Sequence, residues 1–232
     1  MTSAPKAAPQ AAPQTTLETI LRARHSCRAY RQAPVAPALI EQAVATAARA
    51  PSWCNAQPWQ LLITRQPETA RLAKALHTHA QSAQMQPDLP WPESYSGPYK
   101  ARRFDCGMQL YDAAAIARDD KEARTTQMLE NFRFFGAPHM ALITSPRELG
   151  AYGALDCGGF VTAFCAALTE AGLGSIPQAA PAGYAPFLRA WFGLPEERLI
   201  LCTIAFGYSD TSAPINSFRT PRAAPDDLID WR

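Results

Sequence analysis

Apolar positions along this chain recur with two different periods, and the two alternate. Thr16 to Ala23 has the spacing of a short helix. After Pro37 the run Leu39, Ile40, Ala43, Val44, Ala47 repeats at three and four residues, which predicts a helix that ends before Pro51. Trp59 to Thr64 is a short apolar run of strand length. Glu68 to about Ala83 is expected to be helical. Pro87 to Pro98 is expected to be a loop, because the prolines at 87, 90, 92 and 98 each fix φ and remove a donor. Arg102 to Arg118 and Lys121 to about Leu129 read as two further helices. His139 to Thr144, bracketed by Pro138 and Pro146, and Leu199 to Phe206 read as strands. Leu155 to Ala171 is apolar or small almost throughout, the pattern of a helix buried on most of its circumference in the core or at a subunit interface. Gly172 follows it as a left-handed stop would, and Gly174 frees the backbone beyond. From Tyr208 the periodicity ends, and the prolines at 214, 221 and 225 predict an extended arm. Its residues are equally compatible with wrapping the arm's own domain, lying on a second subunit or forming a free tail.

Composition narrows the class without naming a function. At 232 residues, 47% hydrophobic and 18% charged, the chain has the apolar content to bury a core, and one domain over residues 16–232 is expected. Residues 1–15, rich in Ala, Pro, Gln and Thr, lack an apolar signal-peptide core and any helical period, and are expected to be disordered. A net charge of +2 and a pI of 8.2, with no basic cluster interleaved with aromatics, argue against a nucleic-acid partner. No uninterrupted apolar stretch approaches the ~18 residues of a membrane span, so no membrane partner and a cytoplasmic location are expected. The six cysteines, at 27, 54, 106, 157, 165 and 202, show neither CxxC pairs nor the density of a disulfide scaffold and read as reduced thiols. Cys157 and Cys165 read as small core residues. His77 and His79 would diverge on a helix, so no metal site is expected. Neither GxGxxG nor GxxxxGK[ST] occurs, which argues against a Rossmann site and a P-loop.

Two segments carry polar chemistry where a ligand could be held. Arg24-His25-Ser26-Cys27-Arg28 sets two guanidinium groups and a hydroxyl at the end of a predicted helix, a composition suited to a phosphate monoester. The alternative is a pair of solvated charges on one helical face. Pro51-Ser52-Trp53-Cys54-Asn55-Ala56-Gln57-Pro58 is a proline-bounded loop whose hydroxyl and amide groups can read the edge of a heterocycle. The alternative there is a polar turn between helix and strand. Together the two segments suggest a ligand with a phosphate at one end and a flat polar ring at the other.

These two runs, the later Gly172-Leu173-Gly174-Ser175-Ile176-Pro177-Gln178 and the basic arm Phe218-Arg219-Thr220-Pro221-Arg222 resemble, in order, the motifs of the FMN-dependent nitroreductase family. Within it, Pro87-Asp88-Leu89-Pro90-Trp91-Pro92-Glu93 and Asn131-Phe132-Arg133-Phe134-Phe135-Gly136-Ala137-Pro138 are similar to the branch that includes 4-nitrobenzoate reductases. The resemblance implies an α+β, three-layer fold with a central, mainly antiparallel sheet flanked by helices. It also implies a homodimer with tightly but non-covalently bound FMN at the interface, and a C-terminal arm over residues 208–232 that crosses to the partner subunit.

The same resemblance distributes the roles. Arg24, His25, Ser26 and Arg28 would contact the phosphate and ribityl chain, and Arg219 or Arg222 would complete the phosphate clamp. Pro51, Ser52, Trp53 and Asn55 would line the flavin, with Asn131 a further candidate at its pyrimidine edge. Pro177, Gln178, Ala179 and Ala180 would bring backbone amides near the reactive ring nitrogen. The implied reaction is a ping-pong shuttle in which NADH or NADPH reduces FMN and a nitroaromatic acceptor, with nitrobenzoate as one candidate, is then reduced. No catalytic side chain is required, and none is assigned. Trp91, Tyr95, Tyr99, Arg102, Arg103 and Phe104 form the expected acceptor-binding lid, with core or interface packing as the alternative for its aromatics. Other flavin reactions, namely reductive dehalogenation, quinone or ene reduction and flavin breakdown, and a non-enzymatic FMN-binding role stay open.

Overall fold

A computed structural model describes residues 16–232, so the tail expected to be disordered, residues 1–15, lies outside the described residues. Four strands form one antiparallel sheet in the order β1-β2-β4-β3: β1 Gln60–Thr64, β2 His139–Pro146, β3 Gly174–Gln178 and β4 Arg198–Gly207. Every pairing is antiparallel, and a bulge lies in β2 between Ile143 and Thr144. Seven helices surround the sheet: α1 Leu17–Ala23, α2 Pro37–Ala47, α3 Glu68–Ala80, α4 Gly97–Ala113, α5 Lys121–Leu129, α6 Gly150–Glu170 and α7 Ala185–Phe192.

The central strands are apolar on both faces, and this makes three layers. Along β2, Met140 and Leu142 point into a core shared with Leu72 and Leu76 of α3, Phe132, Phe134, Tyr184 and Leu188 of α7. Ala141 and Ile143 point the opposite way, against Ala43 and Ala47 of α2 and Phe160, Phe164 and Leu168 of α6. Seven of the eight residues of β2 are buried, which explains why its sequence reads as a continuous apolar run rather than an alternating one. The expected three-layer arrangement is therefore the observed one.

Several boundaries differ from the sequence expectation, for identifiable reasons. Helix α4 begins at Gly97, not Arg102, because Pro98 occupies the first turn, where its missing N–H is not needed. It ends at Ala113, short of Arg118, with Ala115 at a left-handed φ of 53°. Helix α6 begins at Gly150, ahead of Leu155. By length and composition alone the stretch Arg147–Glu170 could cross a bilayer, which the interrupted apolar pattern around Asp156 concealed. Here α6 is a core helix, with Phe160, Phe164 and Leu168 packed on the sheet. Strand β3 and helix α7 were not anticipated. The segment after Gly172 reads as a connection, yet Gly174 to Gln178 pairs with Thr203 to Gly207.

Gly172 has φ 75° and turns the chain out of α6 as expected. Gly174 serves close approach instead: a Cβ there would lie 2.8 Å from Cys27 Sγ. That absence of a side chain lets the Ser26–Cys27 segment settle on β3, with a bridge from Ser26 to Ser175 and the Cys27 N–H donating to the Ser175 carbonyl at 3.1 Å. The C-terminal arm then folds back on the same segment. Tyr30 bridges Ser209, the Arg31 N–H donates to the Tyr208 carbonyl at 2.9 Å, and the Asp210 N–H donates to Ala29 at 3.0 Å.

Candidate functional site

The fold brings the two arginine-bearing segments into one open cleft of about 1040 Å³. Its wall includes Arg24, His25, Ser26 and Arg28 from the end of α1 and beyond, Arg219 and Arg222 from the arm, and Cys106 from α4. The Arg28 guanidinium stands between Phe218, 5.5 Å away, and Phe135, 5.9 Å away, and donates to the Ser26 carbonyl at 3.2 Å. Arg219 donates to the carbonyls of Asn216 and Phe218, both at 2.8 Å. Among the described residues, none of Arg24, Arg28, Arg219 and Arg222 lies within ion-pair distance of a carboxylate. Four guanidinium groups around one cleft without acidic partners make an anion site by charge alone.

His25 reports the same field. Its Nδ1 donates to the Ala23 carbonyl at 3.1 Å, and its buried Nε2 has no partner among the described residues. Burial first, then the charges of Arg219, Arg24 and Arg28, hold its pKa below the ordinary histidine value. Arg219 is the arginine of the arm whose charge acts on His25. Arg222 Nη1 is bound within its own turn, to the Thr220 carbonyl, Thr220 Oγ1 and the Pro221 carbonyl.

A second polar group lies further along β3. Ser26 is docked at Ser175, and Gln178 is three residues on, about 10 Å along the strand. Gln178 is buried, and its Nε2 donates to the Asn131 carbonyl at 3.0 Å and to Asn131 Oδ1 at 3.2 Å, which leaves Gln178 Oε1 without a partner. Asn131 itself is engaged, because its Nδ2 donates to the Met128 carbonyl at 2.9 Å behind α5. The unpaired acceptor of this pair is thus the glutamine. Pro177 and Gln178 belong to the strand, and Ala179 and Ala180 follow it.

The proline-bounded loop does not join this cleft within one chain. It contains the 3-10 turn Trp53–Asn55, with Cys54, Asn55 and Gln57 all in the left-handed region at φ 50°, 58° and 48°. Such residues each store on the order of 1–3 kcal/mol of strain, less for Asn. Ser52 Oγ accepts from the Gln57 N–H at 3.0 Å, and the Trp53 N–H donates to Asp156 Oδ2 of α6 at 3.0 Å. Pro51, Trp53 and Asn55 are exposed, and Trp53 meets Tyr152 edge-on at 4.5 Å. The loop sits near the start of α6, whereas the arginine cluster sits at the strand that follows its end. Convergence of the two clusters is therefore not a property of the single chain.

The expected acceptor lid is anchored at its beginning. Asp88 is half-buried and accepts from Arg189 Nη2 and the Ile200 N–H, each at 2.7 Å. Trp91 lies over Gly183, where a Cβ would come within 2.8 Å of the indole. Tyr95, Tyr99, Arg102, Arg103 and Phe104 are exposed, and Arg103 stacks on the Tyr95 ring at 5.2 Å. They do not line the arginine cleft. Sequence reasoning gave no site role to Cys106 or Asn216, for which no local motif gives a signal, nor to Phe218, which it took only as part of the basic arm motif.

The cysteines show no disulfide. Burial pushes the Cys157 thiol up to about 11 and the Cys202 thiol up to about 12, which leaves both protonated and unreactive at neutral pH. No group of three or more His, Cys, Asp or Glu among the described residues could hold a metal ion.

Comparison with known proteins points in one direction. The model of the Nitroreductase family matches residues 21–208. The chain is 36% identical over 205 residues to nitroreductase NfnB of Mycolicibacterium smegmatis, covering 88% of this chain and 87% of that protein. It is 29% identical over 204 residues to 4-nitrobenzoate reductase of Pseudomonas putida, covering 88% and 89%. The crystal structure of the FMN and NADPH-dependent nitroreductase NfnB from Sphigopyxis sp. strain HMH superposes with a TM-score of 0.90 at 34% identity, covering 94% of this chain and 99% of that one.

Proposed function

We propose that this chain, which belongs to the nitroreductase family, is an FMN-dependent oxidoreductase that uses NADH or NADPH to reduce nitroaromatic compounds. The observation that carries the reading is the cleft at which four arginines without carboxylate partners gather around Ser26 and His25. A phosphate monoester matches that charge, and the unpaired Gln178 Oε1 about 10 Å along β3 offers an acceptor to an N–H of a heterocycle. Bound FMN would supply the reversible two-electron chemistry through which donor and acceptor exchange a hydride in turn.

The chain's own part is binding, orientation and exclusion of water. Arg24, Ser26, Arg28 and Arg219 hold the phosphate, with Arg222 more peripheral. The 177–180 segment supports the ring. Pro51, Ser52, Trp53 and Asn55 reach the ring from a second copy of the chain, because in one copy they stand apart from the cleft. Exposed Trp53, Tyr152 and Leu155, at 59%, 55% and 67%, form an apolar face on and beside α6 that a homodimer would cover. In that assembly residues 16–232 act as one FMN-binding unit, and the end of the arm packs on the partner. Trp91, Tyr95, Tyr99 and Phe104 offer flat surfaces to an aromatic acceptor, and Arg102 and Arg103 offer charge to a carboxylate on it. The unpaired, partly buried thiols fit a reducing, cytoplasmic setting.

The deciding experiment is spectroscopic. The purified protein is expected to carry yellow flavin absorbance that NADH or NADPH bleaches without oxygen and that 4-nitrobenzoate restores. A colourless protein that does not take up FMN would overturn the reading. One that binds FMN but is not reduced by either nicotinamide would be a binding protein instead.

A further inference from the structure

Asn216 sits where the arm meets the arginine cluster, and all of its polar groups are spent there. It is 5% exposed, in the 3-10 turn Pro214–Asn216. Its Oδ1 accepts from the Arg28 backbone N–H at 2.7 Å. Its Nδ2 donates to the carbonyls of Ala29 and Asp210, both at 2.9 Å, and approaches Ser209 Oγ at 3.4 Å. Its backbone carbonyl accepts from Arg219 Nη1 at 2.8 Å. One side chain thus reads both the donor of Arg28 and the acceptor of Ala29, while the same residue's main chain holds the second arginine.

Only a carboxamide fits those demands. A carboxylate would keep the bond to the Arg28 N–H but face two carbonyl oxygens, and an aliphatic side chain would leave the Arg28 N–H without a partner and take one donor from each of the Ala29 and Asp210 carbonyls. Phe218, two residues on, is carried by the same turn onto the Arg28 guanidinium. Displacing the turn would therefore move Arg219 and release one face of Arg28 together.

We infer that Asn216 is a positioning residue that sets Arg28 and Arg219 at a mutual geometry suited to one phosphate group. The inference rests on the FMN reading above and adds to it a residue that does not touch the ligand. Riboflavin shares the ring and ribityl chain of FMN but lacks the phosphate, so the two ligands separate a positioning role from a merely structural one.

The test titrates flavin-free wild type, Asn216→Ser and Asn216→Asp with FMN and with riboflavin, following quenching of flavin fluorescence. Wild type is expected to bind FMN more tightly than riboflavin. In both variants the FMN dissociation constant should rise by about tenfold, in line with one lost charge-assisted contact, while that for riboflavin changes by less than about twofold. Equal losses for the two ligands, or an unchanged FMN affinity, would overturn the inference alone. A wild type that does not distinguish FMN from riboflavin would overturn the phosphate reading and this inference with it. Asn216→Ser is small enough to be accommodated if Asn216→Asp does not fold.

Discussion

Asp88 and Arg189 meet at 2.7 Å with side chains only 10% and 9% exposed, and this pair ties the aromatic loop after α3 to α7 and β4. Asp88→Ala leaves the buried Arg189 guanidinium with only the Arg198 carbonyl at 3.1 Å and the exposed Glu196 carboxylate at 3.5 Å, leaves the Ile200 N–H unpaired, and is expected to cost about 3 kcal/mol. Arg189→Met should cost less, since Asp88 keeps the Ile200 N–H and Arg147 at 3.7 Å. Urea unfolding of the two variants checks the order; a larger loss for Arg189→Met would contradict it.

The arm carries two arginines into the cleft, and they are not equivalent. The charge of Arg219 lowers the pKa of His25, and its guanidinium is held by the carbonyls of Asn216 and Phe218; that of Arg222 is held by the carbonyls of Thr220 and Pro221. Arg219→Gln should weaken FMN binding by about 10–100-fold, the worth of a charge-assisted hydrogen bond. Arg222→Gln should weaken it by less than about threefold on the same scale. Equilibrium titration of the flavin-free proteins distinguishes them, and the reverse ranking would assign the clamp to Arg222.

The stability of the flavin-free protein should fall on the acid side through His25. Its folded-state pKa lies below the ordinary histidine value of 6.5, chiefly through burial and then through three arginines. The unfolded state therefore takes up the proton first as pH falls. The stability that neutral His25 contributes is complete above about pH 6.5 and is lost as pH drops through the folded pKa. His139 shifts in the same direction, again chiefly through burial, so the comparison must be made against a variant. Between pH 7.5 and 5 the Tm of His25→Gln is expected to fall less than that of wild type; parallel curves would clear His25 of the effect.

A homodimer built on α6 makes Leu155 a test of both assembly and cofactor. Leu155 is 67% exposed in the single chain, and a charge there disturbs nothing inside it. Leu155→Glu is expected to elute as a monomer in size-exclusion chromatography and to lose flavin, because the loop at Ser52 to Asn55 would no longer meet the cleft of a neighbour. A dimeric Leu155→Glu variant with full flavin content would remove α6 from the interface.

Most of the framework is written in local patterns. The two-sided apolar run of β2, the proline that opens α2 and the left-handed Gly172 each mark an element without help from distant residues. Strand β3 hides because its five residues include Gly174 and Pro177, both poor strand formers, and its identity comes from pairing with β4. The arginine cluster is legible for the same reason as the helices, since Arg24 to Arg28 is a local motif. What completes it is not. Asn216 lies 188 residues from the Arg28 N–H it accepts, and Gln178 lies 47 from Asn131. A single amide in an irregular arm carries no pattern, and only folding gives it partners.

Strand β3 lies at an edge of the sheet, and Pro177 is its one exposed residue. The Ser175 carbonyl faces outward, toward Cys27, so the backbone of Pro177, two residues on, faces outward as well. At that position the rim offers no donor, and the Ser26–Cys27 segment already covers the position before it. A passing extended peptide finds nothing there to zip onto. This edge of the sheet is thereby guarded against strand-to-strand polymerisation.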